Sequence, residues 1–468
     1  MLLLFISLYL LLNIGVGVWA ARRVKTAQDY VLAGRRLPLA LAASVTFATW
    51  FGSETIMGAP AKFVDGGVPA IIEEPFGSAL CLFLVGLLFA RPLYRLNITT
   101  FSDYFRIRFG RSAELLSALI MIPSYFSWIA AQLIAIGIVL NVVTGIDQTV
   151  GIVISAAIVM IYTLLGGMWS ISITDFLHNA VIIVALLAVS IPLWNEVGGW
   201  EAIQARTASR PDAADFWRFG PDWTFDGVTE YVAAWVTIGL GSLPQQDIFQ
   251  RVMSAKSERV AVRASYIASG LYLTVAALPL FIGLAAQFLH PDLPMATDEQ
   301  RQLLIPNMVM RHGSLFWQIL FFGAVTSAIL SVSSGAILAP AAVFGENVVK
   351  FFRPGLSDRD LLLTIRLSVV AITIICVFLC TIRTVSIFDL VGESSAFSLV
   401  SLFVPLLAGI YWKRANLVGC LGSMGIGLAV WLICSWIDTH FPPMLWGLLA
   451  STGAMVAGSL LRKTTVRL

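Results

Sequence analysis

The chain has 468 residues, 58% hydrophobic and only 12% charged, with a mean hydropathy of +0.86 and a formal net charge of +3. A soluble chain carries roughly 25% charged residues, so a water-soluble multidomain protein is excluded. The charges fall between apolar runs of about twenty residues, the length that crosses a bilayer as a helix. The expected fold class is an all-α polytopic membrane protein with the lipid bilayer as its surroundings.

About thirteen transmembrane helices are predicted, at roughly 1–21, 38–62, 70–90, 113–143, 149–165, 171–193, 228–247, 264–289, 314–343, 361–382, 386–410, 418–436 and 443–461. The first has no basic stretch before it, and Arg22 and Arg23 follow it, so it reads as an uncleaved helix. With the N-terminus outside, the inside loops and tail hold 23 of the 30 Lys and Arg residues. The outside keeps Lys62, Arg206, Arg210, Arg218, Arg301, Arg311 and Arg383. That bias sets the topology and leaves the C-terminus in the cytoplasm.

The second span is interrupted at Ala48-Thr49-Trp50-Phe51-Gly52-Ser53-Glu54-Thr55. Unwound backbone at membrane depth leaves amides and carbonyls unpaired, so it survives where it lines a cavity or binds something. Glu54 sits beside the break, and an ionisable residue there is a functional candidate. A buried kink with Glu54 paired to a neighbour is the other reading. Of the longer outside stretches, 194–227 and 290–313 read as loops or lids, and Leu303 to Met310 is an apolar piece suited to the membrane surface.

A second interruption follows five spans later, where Ala233 to Leu243 starts apolar and loses helical preference through Gly239, Gly241 and Pro244. Paired interruptions in two five-span halves point to an inverted-repeat transporter with its site at the midplane. The expected divisions are 1–37, an N-terminal accessory helix and cytoplasmic loop; 38–227, the first repeat; 228–412, the second; and 413–468, two accessory helices. Cys81, Cys376, Cys380, Cys420 and Cys434 all lie in apolar spans, with neither metal-ligand nor disulfide spacing.

The ninth span is rich in small and hydroxyl residues, and Ala328, Ser331, Val332 and Gly335 share one face. Serine hydroxyls facing bare carbonyls of an unwound helix are hard oxygen ligands suited to Na⁺. Taken alone, the span is better explained by close packing of helices, which the same small residues allow.

Further strings carry more. Asp29 to Arg36 follows the first span, Gly166-Gly167-Met168-Trp169-Ser170 runs on to Thr174-Asp175, and Pro244-Gln245-Gln246-Asp247-Ile248-Phe249-Gln250-Arg251 closes the seventh. With Ile329-Leu330-Ser331 and Ser334 to Pro340, they resemble the sodium:solute symporter family over nearly the whole chain. The resemblance implies a 5+5 inverted-repeat, leucine-transporter-type core with accessory helices. It implies Na⁺ as coupling ion, with carbonyls of Ala48, Phe51 and Ala328 and the Ser331 hydroxyl as ligands. Asp175 matches an aspartate on the ion's inner path; taken alone, an Asp at a helix start is also a dipole partner. The family carries a second hydroxyl directly after the serine, where this chain has Val332; water, Ser327 or Ser334 would have to complete the set.

On the solute side, Glu54, Thr55, Glu74, Trp128, Gln132, Trp235 and Ser395 are the candidates, though packing or capping explains each singly. The acidic pair Glu54 and Glu74 suits an amine-bearing solute, and Trp50 replaces the aspartate that proline carriers place in the break. The expectation is a Na⁺-coupled symporter of a small polar organic solute, an amino acid or related metabolite, in the bacterial inner membrane, with a periplasmic N-terminus. It is neither an enzyme nor a nucleic-acid binder, and no obligate protein partner is evident. A proton-coupled carrier titrating at Asp175 or Glu54 is the mechanistic alternative. A transporter-like sensor is the other, against which stands the end of the chain seven residues after its last span.

Overall fold

The computed structural model describes residues 24–382, 386–437 and 439–461, with scattered positions between Phe5 and Arg22. Most of the first expected span, Arg383 and the tail from Arg462 fall outside them. Among the described residues every regular element is helical, and ten helices are long and apolar enough to cross a membrane. They run Val68–Arg95, Arg111–Thr144, Gln148–Leu165, Gly167–Val197, Glu258–Leu289, Leu315–Phe352, Asp358–Ile382, Ile387–Tyr411, Leu417–Trp436 and Pro443–Leu461. Leu363, Leu367, Ile374 and Phe378 are all exposed along one stripe of Asp358–Ile382. At helical spacing they form the lipid-facing side of that helix.

Two more helices are broken where the sequence places the interruptions. The first runs Leu39–Ala48, opens over 49–53 and resumes at Glu54, ending at Gly66. The second runs Phe225–Gly241 and resumes as Gln246–Ser254. Ala48, Phe51 and Glu54 are all buried, so the opened turn lies inside protein and not against lipid.

Local details differ from expectation in two places. The fifth and sixth spans have no loop between them: the helical run is interrupted at Gly167 alone, with φ +50° and ψ −146°. A β-carbon there would lie 2.4 Å from the Tyr30 carbonyl oxygen, so both the positive φ and the contact require glycine. The apolar piece at Leu303–Met310 does not lie on a membrane surface. It forms the helix Leu304–His312, whose Leu304, Ile305, Met308 and Val309 are buried against the protein. An amphipathic turn next to a larger apolar core finds its partner there before it reaches lipid.

The loops sort into two ends. At one, Leu37 pairs with Ala255, Arg95 reaches Glu258 at 2.9 Å, and Asn347 donates to Asp103 at 3.1 Å and Glu114 at 3.0 Å. At the other, Lys62 lies 3.3 Å from Asp389 and 3.5 Å from Asp298, while Arg301 bridges Asp65 at 3.1 Å and Asp298 at 2.8 Å. There Arg311 holds Asp292 below the usual carboxylate range from 2.5 Å, as Arg210 does for Asp212.

Candidate functional site

Where the first broken helix resumes, the Glu54 carboxylate accepts from Gln132 Nε2 at 2.7 Å, Trp128 Nε1 at 3.2 Å and Ser53 Oγ at 3.4 Å. Gln132 serves the break twice, since its Oε1 also takes the Ser53 backbone N–H at 3.2 Å. Gly52 leaves the room this needs: a β-carbon there would lie 2.9 Å from Gln132 Oε1 and 3.0 Å from Glu54 Oε2.

Glu74 reaches the same region by another route. It sits in a wide turn, Ile72–Gly77, with extended backbone (φ −140°, ψ 116°). Its carboxylate accepts from Thr55 Oγ1 at 2.7 Å, Tyr272 OH at 2.5 Å and the Ser78 hydroxyl. Tyr272 also lies 3.0 Å from the carbonyl oxygen of Trp50, a group the break leaves without a helical partner. Both carboxylates are buried and solvated only by neutral donors.

Between them lies a small cavity of about 10 Å³, lined by Trp50, Glu54, Glu74, Ser78, Trp128, Ile238, Ser242, Gln245, Val391, Ser394 and Ser395. Of the expected solute residues, Glu54, Glu74, Trp128 and Ser395 line it, and Thr55 and Gln132 hold the two carboxylates. Trp235 does not line it. It packs edge-on against Phe219 and Tyr231, with ring centroids 6.1 and 6.3 Å away. Ile238, about one turn nearer the second break, takes the lining position instead.

Sequence reasoning passed over Trp50, Ser242 and Gln245 as lining residues, and Tyr272 and Asp247 as their supports. Trp50 Nε1 donates to Asp247 Oδ2 at 3.0 Å, and Tyr125 OH reaches Asp247 Oδ1 at 2.5 Å. That aspartate joins the two breaks. Its place in the PQxDxFQR string was the signal available. Ser242 Oγ pairs with Ser395 Oγ at 2.9 Å.

The second group of expected residues gathers around Leu315–Phe352. Ser331 Oγ donates to Asp175 Oδ1 at 2.5 Å, and Asp175 Oδ2 has no hydrogen-bond partner among the described residues. With its proton directed at Asp175, the Ser331 oxygen keeps its lone pairs for a cation. Asp175 stands about two turns inside the helix that starts at Gly167, which removes the reading of it as a helix-start dipole partner. Ala328 is buried on the same face. Val332 instead meets the break, its Cγ2 lying 2.8 Å from where a Gly52 β-carbon would be. Gly335 makes room for the buried Arg251, whose Nη1 donates to the Asp247 carbonyl at 3.2 Å. One helical face thus addresses Asp175, the first broken helix and the Arg251–Asp247 corner.

A family model described as the sodium:solute symporter family matches residues 30–427. The chain belongs to that family. Among similar proteins, the osmoregulated proline transporter OpuE of Bacillus subtilis is 29% identical over 485 residues, covering 99% of this chain and 94% of the relative. The high-affinity choline transporter 1 of Caenorhabditis elegans is 27% identical over 465 residues, covering 92% and 77%. A solved Na⁺-coupled sialic acid symporter, substrate-bound and outward-open, has a TM-score of 0.86 at 21% identity, covering 100% of this chain and 98% of that one. MhsT, solved with L-phenylalanine, gives 0.54 at 15% identity, covering 91% and 98%. As a sodium:solute symporter, the protein is a multi-pass secondary transporter of a small organic solute with the leucine-transporter-type fold, and not an enzyme.

Proposed function

We propose that this symporter draws a small polar, amine-bearing organic solute, an amino acid or related metabolite, into the cell with Na⁺. The observation that carries the solute class is the pair of buried carboxylates, Glu54 and Glu74, in a cavity lined by no basic side chain among the described residues. A buried charge requires a partner, and a solute ammonium supplies it. The choline and proline relatives, whose names both denote amine-derived solutes, support the same reading.

The coupling ion is Na⁺, held by carbonyls of Ala48, Phe51 and Ala328 and by the Ser331 hydroxyl, with Asp175 on its way inward. Such an ion ties the first broken helix to Leu315–Phe352, so it favours the conformation in which the two are apposed, by as much as its affinity differs between conformations. The two five-span repeats, 38–227 and 228–412, then rock around a fixed site. The protein resides in the bacterial inner membrane with its N-terminus periplasmic and its C-terminus cytoplasmic; Lys/Arg bias supports this, because Arg95, Arg106 and Lys350 sit at one end.

Uptake into proteoliposomes under imposed gradients tests the reading. An inward Na⁺ gradient at equal pH is expected to concentrate the amine. Accumulation that follows a pH gradient in the absence of Na⁺ overturns it in favour of proton coupling.

A further inference from the structure

The cavity restricts its solute more tightly than the presence of an amine does. An amino acid brings a carboxylate, and a transporter must offer that group a basic side chain or free backbone amides. Among the described residues no Lys, Arg or His lines the cavity. The buried Arg251 is engaged with the Asp247 carbonyl and is not among the lining residues. Two amides at the first break are taken as well: Ser53 N by Gln132 Oε1 at 3.2 Å, and Gly52 N by the Trp50 carbonyl at 2.8 Å. A solute carboxylate would therefore enter a field set by Glu54 and Glu74 with no positive charge opposite to hold it, and like charges without screening repel strongly in buried surroundings.

The charge inventory of the core points the same way. Around the two breaks and the helix facing them, Glu54, Glu74, Asp175 and Asp247 are all buried, against one buried guanidinium, Arg251. A bound cation would offset that excess. The cavity wall also carries two indoles, Trp50 and Trp128, whose N–H groups are spent on Asp247 and Glu54. An organic ammonium is the ligand that aromatic rings and carboxylates recognise together.

One lining group is still unmatched. Ser394 is 3% exposed, and its Oγ has no hydrogen-bond partner among the described residues. Buried hydroxyls are almost always paired, so this one fits a hydroxyl on the solute. A neighbouring cavity of about 440 Å³, bordered by Glu73, Asp389 and Glu393, is acidic too, so a cation meets the same sign of charge next to the site.

We propose that the solute is a hydroxyl-bearing organic cation without a carboxylate, its ammonium between Glu54 and Glu74 against Trp50 and Trp128, its hydroxyl on Ser394. The proposal rests on the reading of the cavity as the solute site of a Na⁺-coupled carrier. It narrows that reading by removing amino acids.

Matched pairs test it in proteoliposomes carrying the full chain. Radiolabelled choline and ethanolamine are compared with glycine betaine and glycine, the same amines bearing a carboxylate. Tetramethylammonium supplies the charge without the hydroxyl, and 3,3-dimethylbutanol supplies the shape without the charge. We expect Na⁺-driven uptake of choline or ethanolamine, with the carboxylate-bearing partner weaker by at least about tenfold, and no competition by 3,3-dimethylbutanol. Ser394→Ala should remove the advantage of choline over tetramethylammonium while leaving tetramethylammonium competition as it was, which keeps the test open if Glu54 variants fail to fold. Glycine betaine, glycine or proline matching or exceeding the amino alcohols overturns the proposal but leaves the Na⁺-coupled carrier standing. Na⁺-driven uptake of a sugar with no competition by either cation also overturns it. Absence of any Na⁺-stimulated uptake fails the underlying reading instead.

Discussion

The core keeps buried carboxylates in two settings, and on the proposed reading the contrast between them separates holding a solute from holding an ion. Glu54 and Glu74 face a cavity, and each is wrapped by neutral donors: indole and amide for the first, three hydroxyls for the second. Asp175 is half satisfied. Ser331 takes one oxygen, and the other has no hydrogen-bond partner among the described residues. Organic ammonium groups are large and weakly hydrated, so pre-solvated carboxylates beside aromatic faces can receive them. A small hard cation instead needs bare oxygen lone pairs at short range, which a serine whose proton is committed elsewhere can offer. The residue type is the same in kind; its neighbours decide the task.

Substitutions should therefore split into two classes of response. The largest effect is expected from Glu54→Gln, which keeps the hydrogen-bonding shape and removes the charge. A buried ion pair broken on one side costs about 3–5 kcal/mol, or roughly 10²- to 4 × 10³-fold in affinity. Amine uptake should fall below detection, while a neutral competitor's affinity stays put. An E54Q carrier with unaltered solute affinity and a changed Na⁺ response would move Glu54 to the ion side and collapse the contrast.

Asp175→Asn should act in the opposite sense. It raises the Na⁺ concentration for half-maximal uptake by about tenfold or more, the scale of a charge-assisted contact of about 1.5–3 kcal/mol, and leaves the solute's apparent affinity at saturating Na⁺ nearly as it was. Ser331→Ala follows with about a tenfold rise in required Na⁺ at most. Titrating Na⁺ against initial rates measures both, and a response confined to solute affinity counts against placing the ion there.

The smallest change is expected from Val332→Thr. Threonine keeps the β-branched shape that meets Gly52 and adds one oxygen, so the required Na⁺ should drop by about twofold to severalfold. An unchanged Na⁺ curve would mean that another oxygen already fills the position.

The legibility of these features in the sequence followed the range of the interaction that makes each one. Both helix breaks could be read because they are local: glycines, a proline and a polar insertion inside an apolar run. Ser331 and Asp175 each came forward through a family resemblance, but their pairing did not, since 156 residues separate them. Trp50 was hidden by its own chemistry, as an indole in an apolar span reads as packing until Asp247 appears 197 residues later. Trp235 failed for a geometric reason. Spacing along a helix places a residue only to within about a turn relative to a break, and one turn exchanged the indole for Ile238. The Leu304–His312 helix failed because an apolar face does not declare whether protein or lipid will cover it.

On the proposed reading the two settings are separate sites joined by one conformational equilibrium. Equilibrium binding to the purified carrier tests this most directly, with labelled choline titrated at several Na⁺ concentrations and labelled Na⁺ titrated at several choline concentrations. Linkage requires the two effects to be equal, so we expect Na⁺ to raise choline affinity and choline to raise Na⁺ affinity by the same factor, with Ser331→Ala reducing the factor in both directions. Choline binding that is identical with and without Na⁺ would contradict the account.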